Sequence, residues 1–104
     1  MNDCLFCKLA ADPDTVIWQN DGFAAFKDIY PKDKTHVLLV PKAHVDSLDD
    51  LQALSDGGPL IQAAQELAQF LGVVGAYRVQ INVGRDGGQE VDHLHLHLLS
   101  KRAS

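Results

Sequence analysis

The most constraining feature of the chain is a run near its C-terminal end in which histidine and leucine alternate, His93-Leu94-His95-Leu96-His97. Successive side chains of a β-strand point to opposite faces. The run therefore predicts a strand over residues 91–99, with three imidazoles on one face and leucines packed on a helix on the other. Imidazole has an unperturbed pKa of about 6.5, so each ring can act as nucleophile, donor or acceptor at neutral pH.

A row of imidazoles permits two kinds of site. One is a catalytic relay, in which one ring attacks a substrate while its neighbours orient it and the leaving group. The other is a three-histidine metal site. The preceding segment, Gly84-Arg85-Asp86-Gly87-Gly88, favours the relay, because glycines let backbone N–H groups approach an anion closely. With Asn82 and Gln89 as additional donors, we expect this loop to be a phosphate cradle facing a nucleophile.

The remaining pattern predicts an α+β fold with a mainly antiparallel sheet, because strands, then helices, then strands follow one another through tight links. Ser47 is expected to cap a short helix from Leu48 to Leu54. Pro59 suits the first position of a longer helix, and Gly72 suits its end. The predicted strands are a hairpin over residues 15–19 and 23–28, a buried strand over residues 35–41, and a strand over residues 76–83 before the histidine strand.

Length and charge limit the possible partners. The 104 residues suit a single domain, residues 1–104, and the formal net charge is -5. Lysine and arginine are scattered, so a nucleic acid polymer is not expected as a partner, because neutralising phosphates needs clustered cations. The first residues lack a basic and apolar leader, and the apolar runs are too short to span a bilayer, so we expect a cytoplasmic protein without a membrane partner.

Cys4 and Cys7 are the two cysteines, spaced C-x-x-C. In a reducing compartment such a pair indicates metal ligands or a redox dithiol. We expect no helix start after Cys4 to lower its pKa, which disfavours the redox dithiol. Two cysteines with two histidines form a common structural zinc set, and the candidate histidines are His36, His44, His93, His95 and His97.

Together these motifs closely resemble the histidine triad (HIT) family, specifically its Hint branch. The resemblance is carried by residues 82–99, which match the alternating signature in full, and by three upstream segments: Cys4-Leu5-Phe6-Cys7, Asp28-Ile29-Tyr30-Pro31 and residues 35–44. It implies a five-stranded antiparallel sheet with two helices, and a homodimer in which two sheets join into one of ten strands. It also implies hydrolysis of nucleoside 5′-phosphoramidates and related purine nucleotide compounds through a covalent nucleotidyl-histidine.

The resemblance also implies roles for individual residues. His95 matches the nucleophile, His97 the partner that contacts the phosphate and leaving group, and His36 the histidine that orients the nucleophile. The remaining matches are nucleotide contacts, with the phosphate at Asn82, Gly88 and Gln89 and the nucleoside at Asp28 and Ile29.

In metal-bearing relatives the zinc histidines match His44 and His93, which join Cys4 and Cys7 in a structural site. The chain departs from the resemblance at Glu90, where many Hint proteins have a serine that helps the leaving group. A carboxylate at this nucleotide-binding position is expected to favour amine over phosphate leaving groups.

Other functions remain open. One is the dinucleoside polyphosphate hydrolase branch of the same superfamily, which is disfavoured because that branch lacks the cysteine pair. Another is a nucleotide-binding scaffold whose hydrolysis is incidental. A metal-dependent oxygenase or lyase is the most remote, because no carboxylate ligand stands at the usual spacing from the histidines.

Overall fold

A computed structural model describes residues 4–104. Its elements are two α-helices and five strands, with 3-10 turns at Leu48–Asp50 and Arg85–Gly87. In chain order the helices and strands are α1 (Leu5–Ala10), β1 (Val16–Gln19), β2 (Phe23–Lys27), β3 (Thr35–Pro41), α2 (Ala53–Leu71), β4 (Arg78–Ile81) and β5 (Leu96–Ser100).

The five strands form one sheet in the order β1-β2-β3-β5-β4, and every neighbouring pair is antiparallel. The predicted α+β class and five-stranded antiparallel sheet are therefore confirmed. Strand β3 is entirely buried, as its nearly unbroken apolar sequence predicts. Strand β5 pairs with it, so the histidine strand lies in the interior of the sheet with β4 as the edge beyond it.

Helix α2 covers one face of the sheet. Its buried stripe comprises Leu60, Ala63, Ala64, Leu67, Ala68 and Leu71, spaced three and four residues apart as a one-sided helix requires. This stripe packs on side chains that point to the same face of the central strands, including Leu39, Leu96 and Leu98. The prediction that the leucine face of the histidine strand packs on a helix is confirmed for Leu96 and Leu98.

Helix α1 covers part of the opposite face. Phe6 and Ala10 of this helix join Ala24, Phe26, Leu38 and Val40 in a second, smaller core. The register pairs Leu38 with His97 and His36 with Leu99, so both histidines lie on this face as well. Because α1 has only six residues, it leaves the sheet uncovered beside it, and the histidines line that gap.

Two helix predictions were wrong. Helix α2 begins at Ala53, so Pro59 lies inside the helix rather than at its first position. The early start is stabilised by the Gln52 carbonyl, which accepts hydrogen bonds from the Ser55 and Asp56 N–H groups. The predicted helix from Leu48 to Leu54 is only a 3-10 turn, because Leu51 adopts an extended conformation. The caps themselves are confirmed: Ser47 accepts from the Asp49 N–H, and Gly72 ends α2 with φ 73°.

The last strand is shorter than predicted and begins at Leu96 instead of residue 91. The Leu94 N–H donates to the Val45 carbonyl and the His93 N–H to the Val91 carbonyl, so this segment turns away before it could pair with β3. The predicted strand over residues 76–83 is likewise reduced to Arg78–Ile81. Within residues 4–104, no helix is both long and apolar enough to cross a membrane.

Candidate active site

Three histidines lie next to one another on the face that α1 leaves partly open. The His36 Nε2 and His97 Nδ1 atoms are 2.9 Å apart, and the ring centroids of His95 and His97 are 5.0 Å apart. The His95 Nδ1 atom lies 2.8 Å from the backbone carbonyl oxygen of His93. The resemblance implied that His36 orients His95. In the structure His36 instead bonds the ring of His97. The group that orients His95 is the His93 carbonyl.

The backbone groups around these rings determine where each proton lies. A carbonyl only accepts, so His95 must donate from Nδ1 to His93, which leaves the Nε2 lone pair of His95 free. A backbone N–H only donates, so the Lys32 N–H requires an unprotonated Nδ1 on His36, 3.1 Å away. Neutral His36 then donates from Nε2 to His97 Nδ1, and His97 carries its proton on Nε2. A ring nitrogen with a free lone pair and a ring N–H donor thus stand on adjacent rings.

Burial favours the neutral forms that this chain of hydrogen bonds requires. Desolvation lowers the pKa of His97 to about 4, helped by the neighbouring His95 and His36. Desolvation also lowers the pKa of His36, against the opposing effect of the Asp28 carboxylate. Both rings are therefore neutral at pH 7.

Asp28 lies beside the same His36 nitrogen that bonds His97. Its Oδ2 lies 3.4 Å from His36 Nε2, and its Oδ1 accepts a hydrogen bond from the Tyr30 N–H at 2.8 Å. This places a half-buried carboxylate, predicted to bind the nucleoside, at the wall of the same cleft. Ile29 lines that cleft as well and is largely exposed.

The cleft has a volume of about 490 Å³ and two unlike walls. One wall is apolar and is supplied by α1 and the neighbouring strands, through Leu5, Phe6, Leu9, Phe26 and Leu38. The other carries the polar residues that the sequence singled out, namely Asp28, His36, Asn82, Gly88, Glu90, His95 and His97. An apolar cleft with a few converging polar groups is typical of a small-molecule site.

The glycine loop does not present its backbone as the sequence predicted. The N–H groups of Gly87, Gly88 and Gln89 all donate to carbonyls inside the loop. Gln89 is buried, and its side chain bonds the Gly84 N–H and the carbonyls of Asp46 and Val91, so it supports the loop instead of facing the cleft. Both N–H donors of its amide are thus occupied, and the expected contact with the phosphate stays a prediction.

Glycine is required at position 88 by its backbone conformation and by the nearby Asn82 side chain, rather than by an exposed N–H group. Its φ is 91°, and a Cβ atom there would lie 2.6 Å from the Asn82 Nδ2 atom. Asn82 Nδ2 donates to the Gly87 carbonyl at 2.8 Å, so the missing side chain lets the amide of Asn82 approach the loop. Asn82 and Gly88 both line the cleft, as predicted for phosphate contacts.

A second cluster includes His93, whose carbonyl bonds His95. The ligand atoms of Cys4, Cys7, His44 and His93 all lie within 4.8 Å of one another. His93 Nδ1 lies 3.2 Å from Cys4 Sγ and 3.3 Å from Cys7 Sγ, and His44 Nδ1 lies 3.3 Å from Cys7 Sγ. The His93 ring therefore joins the cysteines, and the three histidines of the alternating run do not converge on one metal.

The donor chemistry of this cluster fits zinc. His93 Nε2 donates to the Pro41 carbonyl at 2.9 Å, and His44 Nε2 lies 2.6 Å from the Asp46 carboxylate. Each outer bond holds the proton on Nε2 and directs the Nδ1 lone pair at the sulfurs, which is how metal-binding histidines are oriented. The Asp46 hydrogen bond raises the pKa of His44, whereas burial lowers the pKa of His93. Two thiolates and two imidazoles make a closed tetrahedral zinc set.

Helix α1 was not predicted, and it overturns one argument about the cysteines. The helix begins at Leu5, and Cys4 caps it by accepting a hydrogen bond from the Cys7 N–H at 3.4 Å. The absence of a helix start, used above to disfavour a redox dithiol, was therefore wrong. What favours a metal is instead the convergence of two imidazoles on the sulfurs. A short helix that starts at an N-capping cysteine has no apolar periodicity long enough to be recognised in sequence.

Comparison with known proteins identifies the family of this chain. The profile of the HIT domain family matches residues 10–104. The chain is 38% identical over 105 residues to protein HitA from Neisseria gonorrhoeae. That alignment covers 95% of this chain and 96% of the HitA chain. It is 37% identical over 93 residues to a purine nucleoside phosphoramidase from Escherichia coli K12, covering 86% of this chain and 78% of that protein.

Solved structures give the same result. A HIT family hydrolase from Legionella pneumophila superposes with a TM-score of 0.85 at 41% identity, covering 96% of this chain and 94% of that one. A zinc-bound histidine triad family protein from Mycobacterium smegmatis superposes with a TM-score of 0.78 at 29% identity, covering 96% of this chain and 76% of that one. The chain therefore belongs to the HIT family and carries the complete histidine triad.

The proton positions can be tested by nitrogen NMR of the histidine rings. At pH 7 we expect His97 to be protonated on Nε2 alone and to remain neutral until the pH approaches about 4. The unfolded chain binds this proton at about 6.5, so His97 contributes stability above that pH, and the contribution is lost as the pH falls toward 4. A His97 titration midpoint near 6.5 in the folded protein, or protonation on Nδ1 at pH 7, would contradict the assignment.

Proposed function

We propose that the protein hydrolyses purine nucleoside 5′-phosphoramidates through a covalent nucleotidyl-His95 intermediate. The observation that carries this proposal is the free Nε2 lone pair of His95 beside the Nε2–H of His97, both at the wall of a cleft that can hold a nucleotide. The activity in the name of the Escherichia coli relative supports the same substrate class.

The bond changes follow from the proton positions. His95 Nε2 attacks the α-phosphorus, a P–N bond to His95 forms, and the bond from phosphorus to the substrate amine breaks. The leaving nitrogen takes up a proton from solvent before cleavage, so the amine leaves neutral. The His93 carbonyl accepts from His95 Nδ1–H and stabilises the positive charge that develops on that ring. Water then attacks phosphorus and gives up a proton to solvent, the P–N bond to His95 breaks, and neutral His95 and the nucleoside monophosphate are released.

His97 acts as a donor and not as the nucleophile. Its Nδ1 is occupied by His36, so its Nε2–H is the group directed to the phosphoryl oxygens or the leaving nitrogen. A neutral donor suits this role, because the low pKa of His97 means that the ring does not take up a second proton across the physiological range.

The two walls of the cleft suit the two ends of a purine nucleoside. We propose that the apolar wall of Leu5, Phe6, Leu9 and Phe26 packs against the base, next to Ile29, and that the Asp28 carboxylate accepts from the ribose hydroxyls. Asn82 and Gly88 lie at the phosphate end. Glu90 is exposed at the same cleft, where its charge is expected to disfavour anionic leaving groups.

Substitution of the two histidines separates their roles. We expect His95→Ala to abolish turnover of an adenosine phosphoramidate, because the attacking atom is removed. We expect His97→Ala to retain measurable turnover but to lower kcat by roughly 10²–10³, the usual contribution of one positioned hydrogen-bond donor. His97→Gln, which keeps a neutral N–H donor, serves as the matched variant and should be the more active of the two. Wild-type turnover by His95→Ala would contradict the proposal.

We further propose that the cysteine-histidine cluster binds one structural zinc per chain. The support is the orientation of all four donors and the zinc-bound relative from Mycobacterium smegmatis. When bound, zinc would cross-link α1 to the loops that carry His44 and His93, and it leaves no open coordination position for substrate. Protein purified without chelator that contains far less than one equivalent of zinc would contradict this.

We also propose a homodimer. Strand β4 is one of the two edges of the sheet, and its exposed Val79 lies near three other exposed apolar side chains in sequence, Phe70, Val74 and Tyr77. An unpaired edge strand is a ready template for pairing, and pairing of β4 with its copy would make a sheet of ten strands. A monomer mass by light scattering at micromolar concentration would contradict this.

A further inference from the structure

Helix α1 belongs to both the cysteine-histidine cluster and the nucleotide cleft. Cys4 and Cys7, at its start and on its first turn, present their sulfurs to His93. Other residues of the same helix, Leu5, Phe6 and Leu9, form part of the apolar wall of the cleft. Any movement of this helix therefore changes the cluster and the cleft together.

Phe6 is the most direct contact between the two sites. Its ring centroid lies 4.9 Å from that of His95, with an interplanar angle of 86°. It also lies 6.3 Å from the ring of His93, a member of the cluster, and 5.4 Å from the ring of Phe26, a member of the cleft wall. The side chain is buried, so its position is coupled to all three rings.

His93 makes a second connection through its own backbone. Its imidazole faces the cysteines, while its carbonyl oxygen accepts the hydrogen bond from His95 Nδ1. The Pro41 carbonyl holds the other ring nitrogen of His93. A ligand that holds the His93 ring in place therefore also holds the group that orients the nucleophile.

A six-residue helix is too short to be stable by itself and depends on its contacts. Both ligands require α1 to be docked on the sheet, so the ligand that binds first removes part of the ordering cost that the second would otherwise meet. We infer that metal binding at the cluster and nucleotide binding in the cleft strengthen each other through α1 and His93. This inference rests on the proposed zinc site and the proposed nucleotide site.

Thermodynamic linkage makes the inference quantitative. If zinc raises the affinity for a nucleotide by some factor, the nucleotide must raise the affinity for zinc by the same factor. Coupling between sites commonly amounts to about 5–150-fold, and we expect about tenfold here because the shared element is small.

The experiment uses AMP as the nucleotide probe. Its Kd is measured by calorimetry on metal-free and on zinc-loaded protein, and the zinc Kd is measured by chelator competition with and without AMP. We expect both ratios to be about ten and equal. If the protein binds both zinc and AMP but neither Kd depends on the other ligand, the coupling is overturned while both proposed sites stand. A protein that binds no zinc, or no AMP, would overturn the corresponding site and the coupling with it.

Two substitutions on α1 test whether Phe6 carries the coupling between the two sites. Phe6→Leu keeps an apolar side chain but removes the aromatic contacts to His93 and His95, and we expect it to lower the coupling ratio toward one while zinc still binds. Lys8→Ala is the matched control, because Lys8 is exposed on the same helix and lies outside the cleft wall. Equal coupling in the two variants would overturn the role of Phe6.

Hydrogen exchange of the wild-type protein gives an answer that does not depend on how the variants fold. The amides of residues 7–10 should become more protected when either zinc or AMP binds, because each stabilises the docked helix. Protection of these amides by zinc but not by AMP would overturn the inference.

Discussion

The interaction on which the site depends is the hydrogen bond from His95 Nδ1–H to the backbone carbonyl of His93, at 2.8 Å. It determines which nitrogen of His95 carries the proton, and therefore which nitrogen is free to attack. Because the acceptor is a carbonyl, the arrangement needs no ionised partner and does not depend on pH in the way that a carboxylate would. The bond exists because residues 93–95 lie outside the sheet, just before β5 begins at Leu96. The His93 carbonyl can therefore accept a hydrogen bond from a side chain.

A second chain of hydrogen bonds gives the neighbouring ring the opposite arrangement. The Lys32 N–H donates to His36 Nδ1, and His36 Nε2–H donates to His97 Nδ1. The Nε2–H of His97 is then the donor that remains for the cleft. Two adjacent imidazoles of the same chemistry thus become an acceptor and a donor, because different backbone groups hold them. The sheet makes this possible because His97 of β5 pairs with Leu38 of β3, and His36 lies two residues before Leu38 on the same face of β3.

Much of the fold could be predicted from the sequence, since the strands are short alternating or apolar runs and α2 has a clear one-sided stripe. Strand β3 begins and ends where it was predicted, at Thr35 and Pro41. The start of α2 could not be predicted, because the Gln52 carbonyl stabilises a turn whose sequence has no capping residue. Helix α1 could not be predicted either, because six residues are too few to show a helical period.

The members of the site were predicted better than their contacts. The alternating run and the cysteine pair indicated the histidine row and the cysteine-histidine cluster, because residue type and spacing limit that chemistry. Which histidine orients which, and the inward direction of Gln89, depend on contacts between residues far apart in the sequence. Period-two alternation also overstated the last strand, because the Leu94 N–H bonds to Val45 and the His93 N–H to Val91 instead of pairing with the backbone of β3.

The central claim is that His95 becomes covalently attached to the nucleotide, and mass spectrometry of a rapidly quenched reaction tests it most directly. Wild-type protein is mixed briefly with an adenosine phosphoramidate, digested under conditions that preserve P–N bonds, and searched for added AMP. The account predicts an added adenylyl group on the peptide of residues 86–101, located at His95, and its absence from His95→Ala protein treated in the same way. An adduct on His97, or turnover of the substrate with no adduct at any quench time, would contradict the account.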